Sequence, residues 1–136
     1  MKFHKDGTLP TNGEVFVFGS NLAGIHGAGA AKVAHQKFGA VWGGGVGFSV
    51  ISDTITGGSY TYAIPTKDQK INTIPLEDIK TYVDDFIEFT EKHPDLSYFV
   101  TRVGCGLAGY KDEQIAPMFK GAKNCSFAEE WRQYLV

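Results

Sequence analysis

The chain has 136 residues, 43% of them hydrophobic, and a formal net charge of −2. That length and apolar content suit one domain, residues 1–136, with a sizeable core, and exclude a disordered chain. Lys and Arg are scattered and form no basic stripe, which excludes a broad nucleic-acid-binding surface.

No apolar run is long enough to span a bilayer, so no membrane role is expected. The start, Met1-Lys-Phe-His-Lys-Asp6, lacks the apolar stretch of a signal peptide. Cys105 and Cys125 form no zinc pattern, and His4, His26, His35 and His93 lack metal-ligand spacing. No metal or cofactor is expected, and reduced thiols place the chain in a cytoplasm.

In chain order, Asn12-Gly13 signals a turn, and 14–18 is a continuous apolar strand of the kind buried on both faces. A glycine-rich turn follows from Gly19 to Ala31. Residues 28–38 read as a helix, with Ala30, Val33, Ala34 and Phe38 at helical spacing and Gly39 as its C-cap. The run Gly-Gly-Gly-Val-Gly at 43–47 is a loop, a candidate third ligand-facing one. Residues 48–51 form a short strand, Gly57-Gly58 a turn, and 59–64 a strand stopped by Pro65.

A helix starts near 72–75, tolerates Pro75 in its first turn, and runs to about 92 before Pro94. Leu76, Ile79, Val83, Phe86 and Ile87 mark its buried face. Residues 98–103 form a buried strand that feeds a second glycine turn, Gly104-Cys-Gly-Leu-Ala-Gly-Tyr110. Residues 112–119 make a short helix and 127–134 a closing helix. The order β-α-β-β-α-β-α implies helices on both faces of a mixed, largely parallel sheet.

In such sheets ligands bind beyond the carboxyl ends of the strands. Both glycine turns lie there, after Phe18 and after Val103. Glycine lets a ligand approach the main chain, and amides at a helix start attract phosphate. The two turns therefore point to one phosphate-containing ligand. The first is not a P-loop, because Ala30 stands where lysine is needed, and it lacks the third glycine of a dinucleotide fingerprint.

Three segments together resemble the macrodomains, a family that binds ADP-ribose. They are Gly27-Ala-Gly-Ala-Ala-Lys-Val-Ala-His-Gln-Lys-Phe-Gly39, Tyr62-Ala-Ile-Pro-Thr-Lys67 and Val103-Gly-Cys-Gly-Leu-Ala-Gly-Tyr110. The likeness is nearest to the terminal ADP-ribose glycohydrolases and the antitoxin macrodomains that remove ADP-ribose from DNA. It implies a three-layer α/β/α fold and, as partner, ADP-ribose or ADP-ribosylated DNA or protein.

It also implies that Asn21 meets the distal ribose and that Gly27 and Gly29 approach the diphosphate. Gly104, Cys105, Gly106, Leu107, Ala108 and Gly109 wrap the phosphates and distal ribose, with Tyr110 beside them. Lys67 matches the catalytic lysine of that branch. Ala108 stands where the glycohydrolases carry a catalytic aspartate and the antitoxins a glycine. Asp112, four residues on, is the nearest acid that could take its place; as an N-terminal helix residue it has a plainer reading. Phe18-Gly-Ser-Asn21 differs from the family's usual Asn-Ala-x-Asn.

Three readings follow: an ADP-ribosyl hydrolase working through Lys67, a non-catalytic nucleotide-binding module, and an enzyme acting on another phosphorylated metabolite.

Overall fold

The computed structural model describes residues 1–10, 13–51 and 59–136. Asn12 and the Gly57-Gly58 turn lie outside them. The strands are β1 (Lys2–His4), β2 (Val15–Asn21), β3 (Gly47–Ile51), β4 (Ser59–Lys67), β5 (Tyr98–Val100) and β6 (Cys125–Ala128). The α-helices are α1 (Gly29–Phe38), α2 (Leu76–Lys92), α3 (Asp112–Ile115) and α4 (Arg132–Leu135), with 3-10 turns at Ala116–Phe119 and Glu129–Trp131. The sheet has six strands in the order β1-β6-β5-β2-β4-β3, and every neighbouring pair is parallel except β3 with β4.

Strand β2 shows how sequence builds the layers. Successive side chains of a strand point to opposite faces. Val15 and Val17 join one buried cluster with Ile79, Val83, Phe86, Ile115, Phe119 and Trp131, beneath α2 and the C-terminal turns. Phe16 and Phe18 join a smaller cluster with Ala31, Ala34, Ala63 and Phe99, beneath α1. Helices therefore cover both faces, as the order of elements implied. Gly39 ends α1 with φ 76°, the left-handed cap expected of it.

Three expectations need correction. Pro65 does not stop β4, which continues to Lys67. Strand β3 begins opposite Ala63, so Pro65 lies past the ladder with β3; beyond it the chain at 73–74 flanks β4, with Ile74 N–H donating to Thr66 O at 3.0 Å and Lys67 bridged to Thr73. The closing segment is not one helix from 127. Residues 125–128 are fully buried between β1 and β5 as a strand, and helical turns start only at Glu129. The strand before the second glycine turn ends at Val100, although Thr101 N–H still donates to the Val17 carbonyl at 3.0 Å.

Candidate functional site

The carboxyl ends of β2, β4 and β5 open into one cleft of about 590 Å³, within the usual range for ligand sites. Both glycine turns line it. Gly19, at the end of β2, packs against the second turn, and a Cβ built on it would stand 3.4 Å from the Gly104 nitrogen.

On one wall the cleft meets the start of α1. The first amides of any helix have no partner within it. Ala28, the N-cap, provides no side-chain cap, and no acid stands in the first turn. Gly27, Ala28, Gly29 and Ala30 all line the cleft, so unpaired amides and the positive end of the helix dipole face it. On the other wall, the second turn closes through Cys105 N–H to Arg102 O, Gly109 N–H to Gly106 O and Tyr110 N–H to Gly104 O. The amides of Gly106, Leu107 and Ala108 are not spent on backbone bonds among the described residues. Successive free amides of this kind form an anion-binding concavity.

Asn21 lines the cleft and is buried. Its amide closes the turn: Nδ2 donates to Ile25 O at 2.8 Å, and Oδ1 accepts from Ile25 N–H at 2.9 Å. One amide hydrogen and one lone pair remain for a ligand. Lys67 ends β4 opposite Asn21 in the parallel register, and it also lines the cleft. Its carbonyl accepts Leu22 N–H at 2.9 Å, which ties the end of β4 to the first turn.

Of the second-turn residues expected at the site, Gly104, Gly106, Leu107 and Ala108 line the cleft, whereas Cys105, Gly109 and Tyr110 lie outside its lining. The Tyr110 hydroxyl donates to Ile74 O at 2.7 Å, and its ring packs on the larger core cluster. Burial, with the neighbouring Asp112 carboxylate, pushes the Cys105 thiol up to about 12. Half-buried against the larger core cluster and outside the cleft lining, it fits a packed thiol.

Asp112 does not replace the acid absent at position 108. Its Oδ1 accepts from Arg102 Nε at 3.0 Å and Trp131 Nε1 at 2.7 Å, and its Oδ2 from Arg102 Nη2 at 2.6 Å. Burial alone would raise its pKa, but the bonds from Arg102, Trp131 and Cys105 outweigh it and hold the carboxyl below its ordinary value. Asp112 is thus an ionised anchor for Arg102 outside the cleft lining.

The loop at 43–47 is not ligand-facing. It lies against the back of the first turn, with Gly43 N–H donating to Gly24 O at 2.9 Å and the Ser20 hydroxyl to Gly45 O at 2.5 Å. Phe48 stacks with Tyr60 and packs near Phe89 in the core. His26 is buried, with Nε2 2.8 Å from Val41 O, a structural role.

The sequence reading missed the other end of the cleft. Asp6, Leu9, Phe16, Val33, Phe99 and Arg102 line it. Phe16 precedes Asn21 by five residues along β2, which separates the two by about 16 Å. Arg102 Nη1 donates to Asp6 Oδ2 at 3.2 Å and fixes the loop after β1. Strand β1, which carries this loop into place, left too short a pattern to detect. No group of His, Cys, Asp and Glu able to hold a metal occurs among the described residues.

No family model matches the chain, and no curated protein matches it. Solved structures do. The macrodomain of Mycobacterium tuberculosis DarG is similar at TM-score 0.69 and 17% identity, covering 93% of this chain and 95% of that one. The macrodomain of Thermus aquaticus DarG gives the same values. Thermosipho africanus DarTG in complex with ADP-ribose is similar at TM-score 0.59 and 15% identity, covering 86% of this chain and 38% of that one. With its six-stranded mixed sheet between helical layers, the chain has the macrodomain fold.

Proposed function

We propose that the cleft binds ADP-ribose or a related ADP-ribosyl group. One observation carries this reading: the uncapped start of α1 and the free amides of Gly106 to Ala108 line one cleft. Two opposed sets of amides with no carboxylate between them fit a diphosphate. The apolar end, with Leu9, Phe16, Val33 and Phe99, fits a flat base, and Asp6 beside it is an acceptor for an exocyclic amine. The other end, with Asn21 and Lys67, fits the distal ribose. The likeness to a structure holding ADP-ribose supports the same ligand. Free Cys105 and Cys125 fit a reducing compartment such as the cytoplasm. Calorimetry with ADP-ribose tests the proposal: saturable one-to-one binding is expected. Absence of binding to ADP-ribose alongside binding of another phosphorylated metabolite refutes it.

A second reading adds hydrolysis of the ADP-ribosyl bond, and the position of Lys67 in the cleft favours it. In its neutral form the lysine amine can attack the anomeric carbon. The C–N bond to the enzyme forms, the bond to the leaving group breaks, and the leaving group takes up a proton. Water then releases the sugar and restores the amine. With Asp112 elsewhere and Ala108 in the loop, no carboxylate of the second turn assists. Release of ADP-ribose from modified DNA or protein by wild type and Lys67→Ala decides the matter. Loss of turnover in the variant with binding retained supports the lysine route. Equal turnover rules it out, and tight binding with no product from either identifies a non-catalytic module.

A further inference from the structure

Lys67 is followed by a tight turn whose geometry the ligand reading does not use. Asp68 N–H donates to Asn72 O at 2.8 Å, and Asp68 Oδ1 accepts from Lys70 N–H at 2.8 Å and Asn72 N–H at 3.0 Å. Lys67 and Thr73 form an antiparallel bridge across its base. The Thr73 hydroxyl donates to Ala108 O at 3.0 Å, which ties the turn to the second glycine loop.

These bonds hold Ile71 at φ 66°. Asn124 is the other non-glycine residue with positive φ among the described residues, and Asn tolerates that region. A β-branched residue does not, and it persists there only where its surroundings over-determine it. The turn itself would form more easily with glycine. Ile71 nevertheless places a branched apolar residue, 40% exposed, on the cleft that Lys67, Leu107 and Ala108 also line.

Resting on the ADP-ribosyl reading, we propose that Ile71 is a specificity-determining residue: it is the apolar wall that contacts the group bonded to the distal sugar and selects an uncharged one. A neutral ring or alkyl group gains contact there, whereas a charged one loses water without gaining a hydrogen bond from Ile71.

The test uses three probes in calorimetry: ADP, which lacks the distal sugar, ADP-ribose, and NADH, which carries a neutral ring on that sugar. Ile71→Gly and Ile71→Asn both accept φ 66° and are expected to keep or raise the thermal midpoint. Both should bind ADP within twofold of wild type and lose at least fivefold in affinity for NADH relative to ADP-ribose. An unchanged NADH to ADP-ribose ratio overturns the proposal and leaves the ADP-ribose reading intact, as does a wild type that binds ADP-ribose and rejects NADH. A clear fall in thermal midpoint in both variants contradicts the strain on which the proposal stands. A wild type that binds neither ADP nor ADP-ribose removes both readings.

Discussion

Gly45 lies directly behind Asn21: a Cβ at position 45 would stand 2.1 Å from the Asn21 carbonyl oxygen. A Cβ at Gly24 would likewise stand 2.2 Å from the Gly43 carbonyl carbon. Both neighbours are backbone and cannot swing aside. Gly45 and Gly24 thus permit the close contact between the 43–45 run and the first turn. Gly45→Ala is expected to cost about 1–3 kcal/mol of stability through overpacking. It should also weaken ligand binding by displacing Asn21. Urea denaturation beside an ADP-ribose titration checks both effects, and a variant as stable as wild type contradicts this packing.

Gly106 offers the converse case. It lines the cleft, its φ is not in the left-handed region, and a Cβ there meets nothing within 4 Å. Gly106→Val should therefore leave stability within about 1 kcal/mol of wild type, as for a surface change. Its branched side chain should still lower ADP-ribose affinity at least about tenfold, or about 1.4 kcal/mol. Unchanged affinity in a folded Gly106→Val protein places the diphosphate elsewhere.

Asp112 gives a pH dependence. Its folded pKa is lowered, so the unfolded chain takes up its proton first as the pH falls. The stability it contributes is present above the ordinary Asp value of about 3.9 and is lost as the pH falls through the lowered folded value. Asp112→Asn removes the ion pair to Arg102, whose side chain is 33% exposed. The expected cost at neutral pH is about 1–2 kcal/mol after solvent screening. The gap between variant and wild type should narrow in acid, read from denaturation curves across pH. A gap that stays constant to strongly acidic pH contradicts the assignment.

Both cysteines should be unreactive in the folded protein. Burial comes first in raising each thiol to about 12, and for Cys105 the Asp112 carboxylate adds to it. Little thiolate then exists at neutral pH. Iodoacetamide at pH 7.5 should label neither thiol in native protein and both after unfolding, as mass spectrometry would show. Rapid native labelling of Cys105 would contradict its packed state.

The main elements were legible where the pattern was long. The continuous apolar run of β2, the 3.6-residue spacing of α2 and the glycine cap of α1 each carry a local signal that tertiary packing reinforces. Short strands were not legible. Lys2–His4 and Cys125–Ala128 are strands because they pair with each other, and the second also with β5, a relation between distant segments that no window contains. The two glycine turns could be placed at one rim because the strands that feed them, β2 and β5, run parallel, whereas Lys67 was singled out by the family resemblance. The cleft end with Asp6 and Arg102 depends on β1, and so stayed hidden with it. Glycine content alone could not separate the turns that line the cleft from the 43–45 run that supports one of them.

The most direct measurement is a crystal structure with ADP-ribose bound. The diphosphate should lie between the start of α1 and the second glycine turn, within hydrogen-bond reach of amides from Gly27 to Ala30 and from Gly106 to Ala108, with the distal ribose toward Lys67. A ligand seated away from either set of amides, or with its distal sugar at the Phe16 and Phe99 end, would contradict a shared phosphate site.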